Sequence, residues 1–211
     1  MEGSGSLIAL LFTVTAISLT GVMAPGPVTA VTVTKGMARK EAGALIAVGH
    51  GIVEVPVILL IGFGFAAFMG VPVVKAVIGI LGGVVLVWMG VGILRTRPQA
   101  FEERREVARG CILAGLTTTV ANPYWFVWWA TIGAALVASA GTWGVVGLAA
   151  FAMTHWLCDL GWLSFLSWGV FTSRRLWTSV IYRGILVASG AVLLGFGAYF
   201  LATGVGQVWA L

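Results

Sequence analysis

The chain has 211 residues, of which 60% are apolar and only 9% charged, against roughly 25% charged in ordinary globular domains. That balance excludes a soluble enzyme or binding module. The net charge of +5 gives no reason to expect nucleic acid as a partner, because the basic residues are confined to short connections. Apolar windows of about 20 residues, enough to cross a ~30 Å hydrocarbon core, recur throughout and point to a polytopic membrane protein.

Hydrophobic helices are predicted at about 6–35, 42–66, 73–94, 110–139, 143–171 and 184–206. The start, "MEGSGSLIALL", lacks a basic n-region and a small-residue cleavage site, so it reads as a first span rather than a removed signal peptide. That first span is too long to be one straight helix and is interrupted by "APGP", Ala24 to Pro27. Proline removes a backbone donor and clashes with the preceding turn, so the helix is expected to kink or unwind there. In the second span, "GHGIVEVP" puts His50 and Glu54 four residues apart, on one helical face. Glu54 lies about 12 residues into its span, ~18 Å deep at ~1.5 Å per residue. An ionised carboxylate at that depth costs at least ~2.5–3.5 kcal/mol, so such residues tend to face a cavity and to work. Interhelical hydrogen bonding between neutral groups is the blander alternative. In the third span Gly79 and Gly83 suit a close helix contact or a homodimer face.

The fourth span is interrupted by "ANPY", Ala121 to Tyr124. Beyond it Trp125, Trp128 and Trp129 share a face. Packing or interface positions are the first reading for these aromatics; a substrate path including Tyr124, Trp125 and Trp128, with a cation–π wall, is the second. The fifth span repeats the earlier pattern in "THWLCDLG", where His155 is followed four residues later by Asp159. Cys111 and Cys158 have no metal or redox spacing and read as inert core thiols. Among the connections, Lys35, Arg39 and Lys40 fall in one, Arg95, Arg97, Arg104, Arg105 and Arg109 in a second, and Arg174, Arg175 and Arg183 in a third. The intervening connections hold only Lys75. This alternation fits six spans of a cytoplasmic-membrane protein with both termini extracytoplasmic.

The halves resemble each other. A shift of 105 residues carries His50 onto His155 and Glu54 onto Asp159, "GIL" at 79–81 onto "GIL" at 184–186, Gly64 onto Gly169, and Gly90 and Gly92 onto Gly195 and Gly197. The proline breaks are 98 apart, Pro25 to Pro123. The expected fold is therefore an all-α membrane protein of one domain, 1–211, with repeat one at about 6–94, a cytoplasmic loop at 95–109 and repeat two at about 110–206. Three spans per half is an odd number, so the second repeat inserts inverted, with helices one and four broken. Secondary transporters use this plan and bind substrate at the midplane between the halves. At each break, free carbonyls and the amide end of a new half-helix face the gap and suit a substrate carboxylate. Glu54 and Asp159 would hold an ammonium group or a proton, and Asn122 can both donate and accept. A zwitterion fits that arrangement.

"APGPVTAVTVTKGMARKEAGALIAVGHG" resembles the first span, basic loop and glycine-rich second span of the LysE-type translocators. "GCILAGLTTTVANPYWFVWWATIG" is similar to that family's fourth span, and the aspartate of "CDLGWLSFLSWG" to an acid of its fifth. Three departures stand out: Tyr124 stands where the family usually has lysine, the basic loop differs in spacing with Arg39 four residues before Gly43, and the His/acid duplication is not typical of its amino-acid exporters. The resemblance implies an exporter of amino acids or similar small metabolites, driven by a proton or potential gradient, with alternating access between the halves. It points to Pro25, Gly26, Pro27, Asn122, Pro123 and Asp159 as site residues. The alternative is a divalent metal exporter in which His50, Glu54, His155 and Asp159 form an N2O2 shell. An intramembrane enzyme is disfavoured. A thiol carrier would need cysteines at the breaks, where Gly26 and Asn122 stand, and a hydrolase would have to use Thr154 or Thr117–Thr119 as nucleophile. No cofactor is implied, and the expected partners are a small molecule and membrane lipid.

Overall fold

A computed structural model describes residues 6–65, 71–95, 110–176 and 179–209. Every element among them is helical. Helix α1, Leu7–Val22, begins where the Ser6 hydroxyl accepts from the Ala9 N–H at 3.1 Å, satisfying one of the donors a helix start leaves open. After a break at residues 23–26, α2 (Pro27–Gly36) starts with proline at its first position, where the missing N–H costs nothing. The two axes differ by 75°, so "APGP" redirects the chain rather than merely bending it. Helix α3 spans Ala42–Leu60 and runs on through a wider turn, Ile61–Phe65. Gly64 ends it at φ 93°, a left-handed conformation that glycine adopts without steric cost.

Helix α4 covers Pro72–Arg95. The fourth predicted span consists of α5 (Cys111–Val120), a break at Ala121 and Asn122, α6 (Pro123–Trp128), a wide turn at Trp129–Gly133, and α7 (Ala134–Gly141). Helices α8 (Gly144–Ser173) and α9 (Ser179–Trp209) complete the bundle. Five stretches are long and apolar enough to cross a bilayer, or six if α1 and α2 count as one bent span. The protein is thus an all-helical, multi-pass membrane protein. Large apolar side chains cover its outside, among them Phe12, Phe63, Trp88, Val145 and Trp209, as a surface bathed in acyl chains requires.

Glycines set how closely the helices approach. Helices α4 and α9 run antiparallel and pack the most extensively. A methyl group on Gly79 would stand 3.0 Å from the Gly204 Cα, and one on Gly83 2.8 Å from the Gly197 carbonyl. The small-residue pair of the third span therefore serves a contact within the chain. Helix α3 presses as tightly on α5 and α8. A methyl on Gly49 would overlap the Ile112 carbonyl, one on Gly115 the Ile46 carbonyl, and one on Gly43 the Leu163 carbonyl. Ser167 of α8 also accepts from the Gly43 N–H at 3.0 Å and donates to the Lys40 carbonyl at 2.8 Å, capping α3 from a neighbouring helix. This contact brings the junction carrying Lys35, Arg39 and Lys40 beside the last part of α8, which leads to Arg174 and Arg175. Arg97, Arg104, Arg105 and Arg109 lie outside the described residues.

Filling these glycine contacts is expected to separate the helices. Gly49→Ala or Gly115→Ala should destabilise the bundle by about 1–3 kcal/mol through overpacking. Gly161→Ala on α8, where nothing lies within 4 Å of the added carbon, should leave the melting temperature of detergent-purified protein nearly unchanged. Equal melting temperatures for all three variants would refute the packing argument.

Candidate functional site

Helices α3 and α8 cross antiparallel, so the one-turn spacing of His50 and Glu54 on the first meets that of His155 and Asp159 on the second. All four side chains are buried. His50 Nε2 lies 3.0 Å from Glu54 Oε1 and 3.5 Å from Asp159 Oδ1. His155 Nε2 lies 3.3 Å from the same Glu54 oxygen and 3.6 Å from Asp159 Oδ2. The two pairs that the sequence holds 105 residues apart thus form one cluster. With both rings protonated and both carboxylates ionised the cluster is neutral overall, and it stays neutral when one proton passes from a ring to a carboxylate. Neutrality is what allows four ionisable groups to share an apolar interior.

The cluster is fixed from outside by groups that the spacing argument did not find. Thr119 Oγ1 of α5 lies 2.6 Å from His50 Nδ1, and Ser18 Oγ of α1 lies 2.8 Å from His155 Nδ1. The Trp125 indole donates to Glu54 Oε1 at 3.2 Å. Three nitrogens therefore converge on one oxygen of Glu54. His155 is stacked between Trp128, with centroids 5.0 Å apart, and Phe151, 5.9 Å apart, and meets the edge-on ring of Trp129 at 5.2 Å. Aromatic faces on both sides favour a cationic ring. Trp128 and Trp129 belong at the same time to the apolar core with Val14, Ile58 and Phe151, so packing and the aromatic enclosure of the site are one feature here.

A cavity of about 70 Å³ adjoins the cluster, enough to hold water. Both helix breaks reach it. Pro25, Gly26, Pro27, Asn122, Tyr124, Trp125 and Trp128 line it together with the four ionisable residues. Pro123 begins α6, with Asn122 in the capping position. Gly26 and Asn122 face each other: a methyl on Gly26 would stand 4.0 Å from Asn122 Nδ2. Leu86, Leu193 and Phe196 of α4 and α9 form an apolar wall that the sequence did not reveal. Among the described residues, Glu54 Oε2, Asp159 Oδ2 and Asn122 Oδ1 are buried acceptors without a hydrogen bond. One ligand atom each from His50, Glu54 and Asp159 lie within 4.8 Å of one another, so a single cation could touch all three.

The remaining candidates fall elsewhere or are already engaged. Thr117 and Thr118 bond back to carbonyls of their own helix and Thr119 to Gly115, so their hydroxyl hydrogens are committed. Thr154 lines a lateral groove with Cys158 and Trp162. Cys111 and Cys158 are buried and form no disulfide.

Taken together, the bent spans, the polar cluster buried between antiparallel helices and the lipid-facing exterior are those of a polytopic membrane transporter. The sequence profile described as LysE type translocator matches residues 19–204, and the chain belongs to that family. It is also 26% identical over 189 residues to a Bacillus subtilis (strain 168) protein named "Putative amino acid efflux protein YcgF", a match covering 87% of this chain and 90% of that protein. No solved structure matches. These relationships support an exporter. They give no support to the metal-exporter alternative.

If the four groups act as one charge-compensated unit, removing one alone strands its partners. Glu54→Gln should cost about 3–5 kcal/mol, the range for breaking a buried charge pair. Adding His155→Gln should cost less than the sum of the two single changes, with a coupling of about 0.5–3 kcal/mol. Denaturant unfolding of the four proteins in micelles measures this, and strict additivity would contradict a single cluster.

Proposed function

We propose that the protein is a secondary-active exporter of amino acids or similar small metabolites across the cytoplasmic membrane. The observation that carries this reading is the meeting of both His/acid pairs beside both helix breaks, around buried acceptors that lack a hydrogen bond within the protein. A primary ammonium group has three N–H donors, and Glu54 Oε2, Asp159 Oδ2 and Asn122 Oδ1 offer three acceptors. The substrate carboxylate is assigned to the starts of α2 and α6, where open amides and the positive helix ends favour an anion. The amino acid efflux named for the Bacillus relative agrees with a zwitterionic cargo.

In this reading the chain is one transport domain of six spans, with two inverted three-helix repeats at about 6–94 and 110–206 joined by a cytoplasmic loop at 95–109. The antiparallel pairing of α3 with α8 and of α4 with α9 is the relation that inversion gives to equivalent helices. Both termini are extracytoplasmic, because the basic junction at Lys40 lies beside the end of α8 that leads to Arg174 and Arg175, and a basic end takes the cytoplasmic side. Transport proceeds by alternating access, coupled to the proton or membrane potential gradient. An arriving ammonium group brings a positive charge into a neutral cluster, and release of a proton restores the balance. The glycine contacts bind α3 to α5 and α8, and α4 to α9, so motion of the α4/α9 pair against the remaining helices opens the apolar wall of the site.

Purified protein in liposomes loaded with a panel of radiolabelled amino acids tests the proposal. Efflux of at least one is expected to accelerate under an imposed proton gradient. Asp159→Asn should lower that flux at least tenfold, whereas Cys111→Ser should leave it within about twofold. No flux for any amino acid, or protection from thermal unfolding by zinc or manganese alone, would overturn it.

A further inference from the structure

We infer that Thr119 is a positioning residue that holds His50 in a single orientation, with its proton on Nδ1 and its Nε2 turned onto the carboxylates. Ser18 plays the matching but looser role for His155. The argument rests on hydrogen direction. Thr119 Oγ1 lies 2.6 Å from the Gly115 carbonyl and 2.6 Å from His50 Nδ1. A carbonyl can only accept, and a hydroxyl has one hydrogen to give. Thr119 therefore donates to Gly115, and its lone pair receives the Nδ1–H of His50. Both residues are buried, and Thr119 is fully so, so water does not offer the ring another partner.

The consequence reaches the centre of the cluster. His50 Nε2 faces Glu54 Oε1 at 3.0 Å and Asp159 Oδ1 at 3.5 Å. With Nδ1 already protonated, a bare Nε2 would set its lone pair against two carboxylates. One further proton must lie between His50 Nε2 and a carboxylate oxygen, whichever atom it is formally bonded to. Ser18 stands 2.8 Å from His155 Nδ1, and its hydroxyl can donate to the ring or accept from it. His155 Nε2 also faces carboxylate oxygens, Glu54 Oε1 at 3.3 Å and Asp159 Oδ2 at 3.6 Å, so a proton lies there too, but its Nδ1 can be protonated or bare without losing the bond to Ser18. The two histidines, equivalent by the internal repeat, are held differently. The Nδ1 proton of His50 is fixed by Thr119 and that of His155 is not fixed by Ser18, with Glu54 and Asp159 as the facing acids, Cys158 beside Asp159 on α8, and Tyr124 on α6 across the cavity.

This inference builds on the transport reading only in giving the cluster a purpose, and its test requires no transport. The chain contains two histidines, so uniform 15N-histidine labelling of the full-length protein in lipid nanodiscs yields two ring systems, assigned with His155→Gln. The wild-type spectrum is expected to show His50 Nδ1 protonated. Thr119→Val should bring out the far-downfield resonance of an unprotonated Nδ1 on His50 and leave the His155 signals in place. Thr119→Ser, which keeps the hydroxyl, should restore the wild-type pattern. An unprotonated Nδ1 on His50 in the wild type would overturn the inference, and that reading holds even if Thr119→Val does not fold. So would a valine variant with His50 signals unchanged. A failed flux assay would sink the transport proposal and leave this result standing.

Discussion

Four ionisable side chains share the interior of a bundle whose outside is hydrocarbon, and the rest of the site follows from the need to cancel their charge there. A lone carboxylate at that depth is expensive. Two carboxylates set among two imidazoles are affordable because protons can distribute so that the sum is zero. This explains why Glu54 gathers three nitrogens around one oxygen and why the rings are held at their far nitrogens by hydroxyls. Each contact settles a proton or orients a dipole that would otherwise be left without a partner in a medium that punishes it.

The sequence made some of this legible for physical reasons. Bilayer thickness dictates the length of an apolar run, so the predicted spans agree with the helices to within a few residues. The second extends only through a wide turn and the sixth starts about one turn early. Proline marks a break because it lacks a donor, and both breaks occur where "APGP" and "ANPY" stand. The spacing of four in His50/Glu54 and His155/Asp159 declared a shared face. Pro56 lies within α3 without ending it, so proline alone did not separate a tolerated position from a break.

Lateral contacts were hidden, because lipid removes the signal that reveals them in soluble proteins. An outward phenylalanine and a core phenylalanine look alike: Phe63 is 89% exposed and Phe151 is 0%. Hydrophobic periodicity therefore did not show that Phe151 stacks on His155, or that Leu86 and Leu193 wall the cavity. The hydroxyls were hidden differently. Threonines in these spans mostly return their hydrogen to a carbonyl of the preceding turn, as helical threonines do. Thr119 does so too, and only its spare lone pair reaches His50.

The cavity is small in comparison with the chemistry that surrounds it. About 70 Å³ is well below the ~300–1,000 Å³ of typical ligand pockets, while three acceptors beside it remain without a hydrogen bond. Buried acceptors of that kind cost free energy unless something bonds to them, so the small volume and the open acceptors together mark this as the place where a polar group would be bound. The two sides of the cavity differ in packing. The polar side is pinned, since α3 rests on the backbones of α5 and α8 with no space for even a methyl group. The opposite wall, Leu86 with Leu193 and Phe196, belongs to the α4/α9 pair, whose close backbone contacts are with each other. A wall made of apolar side chains makes no hydrogen bonds to the site, whereas the polar cluster is held by them. The division between a tightly packed polar half and an apolar wall is therefore a direct consequence of where the glycines and the charges sit.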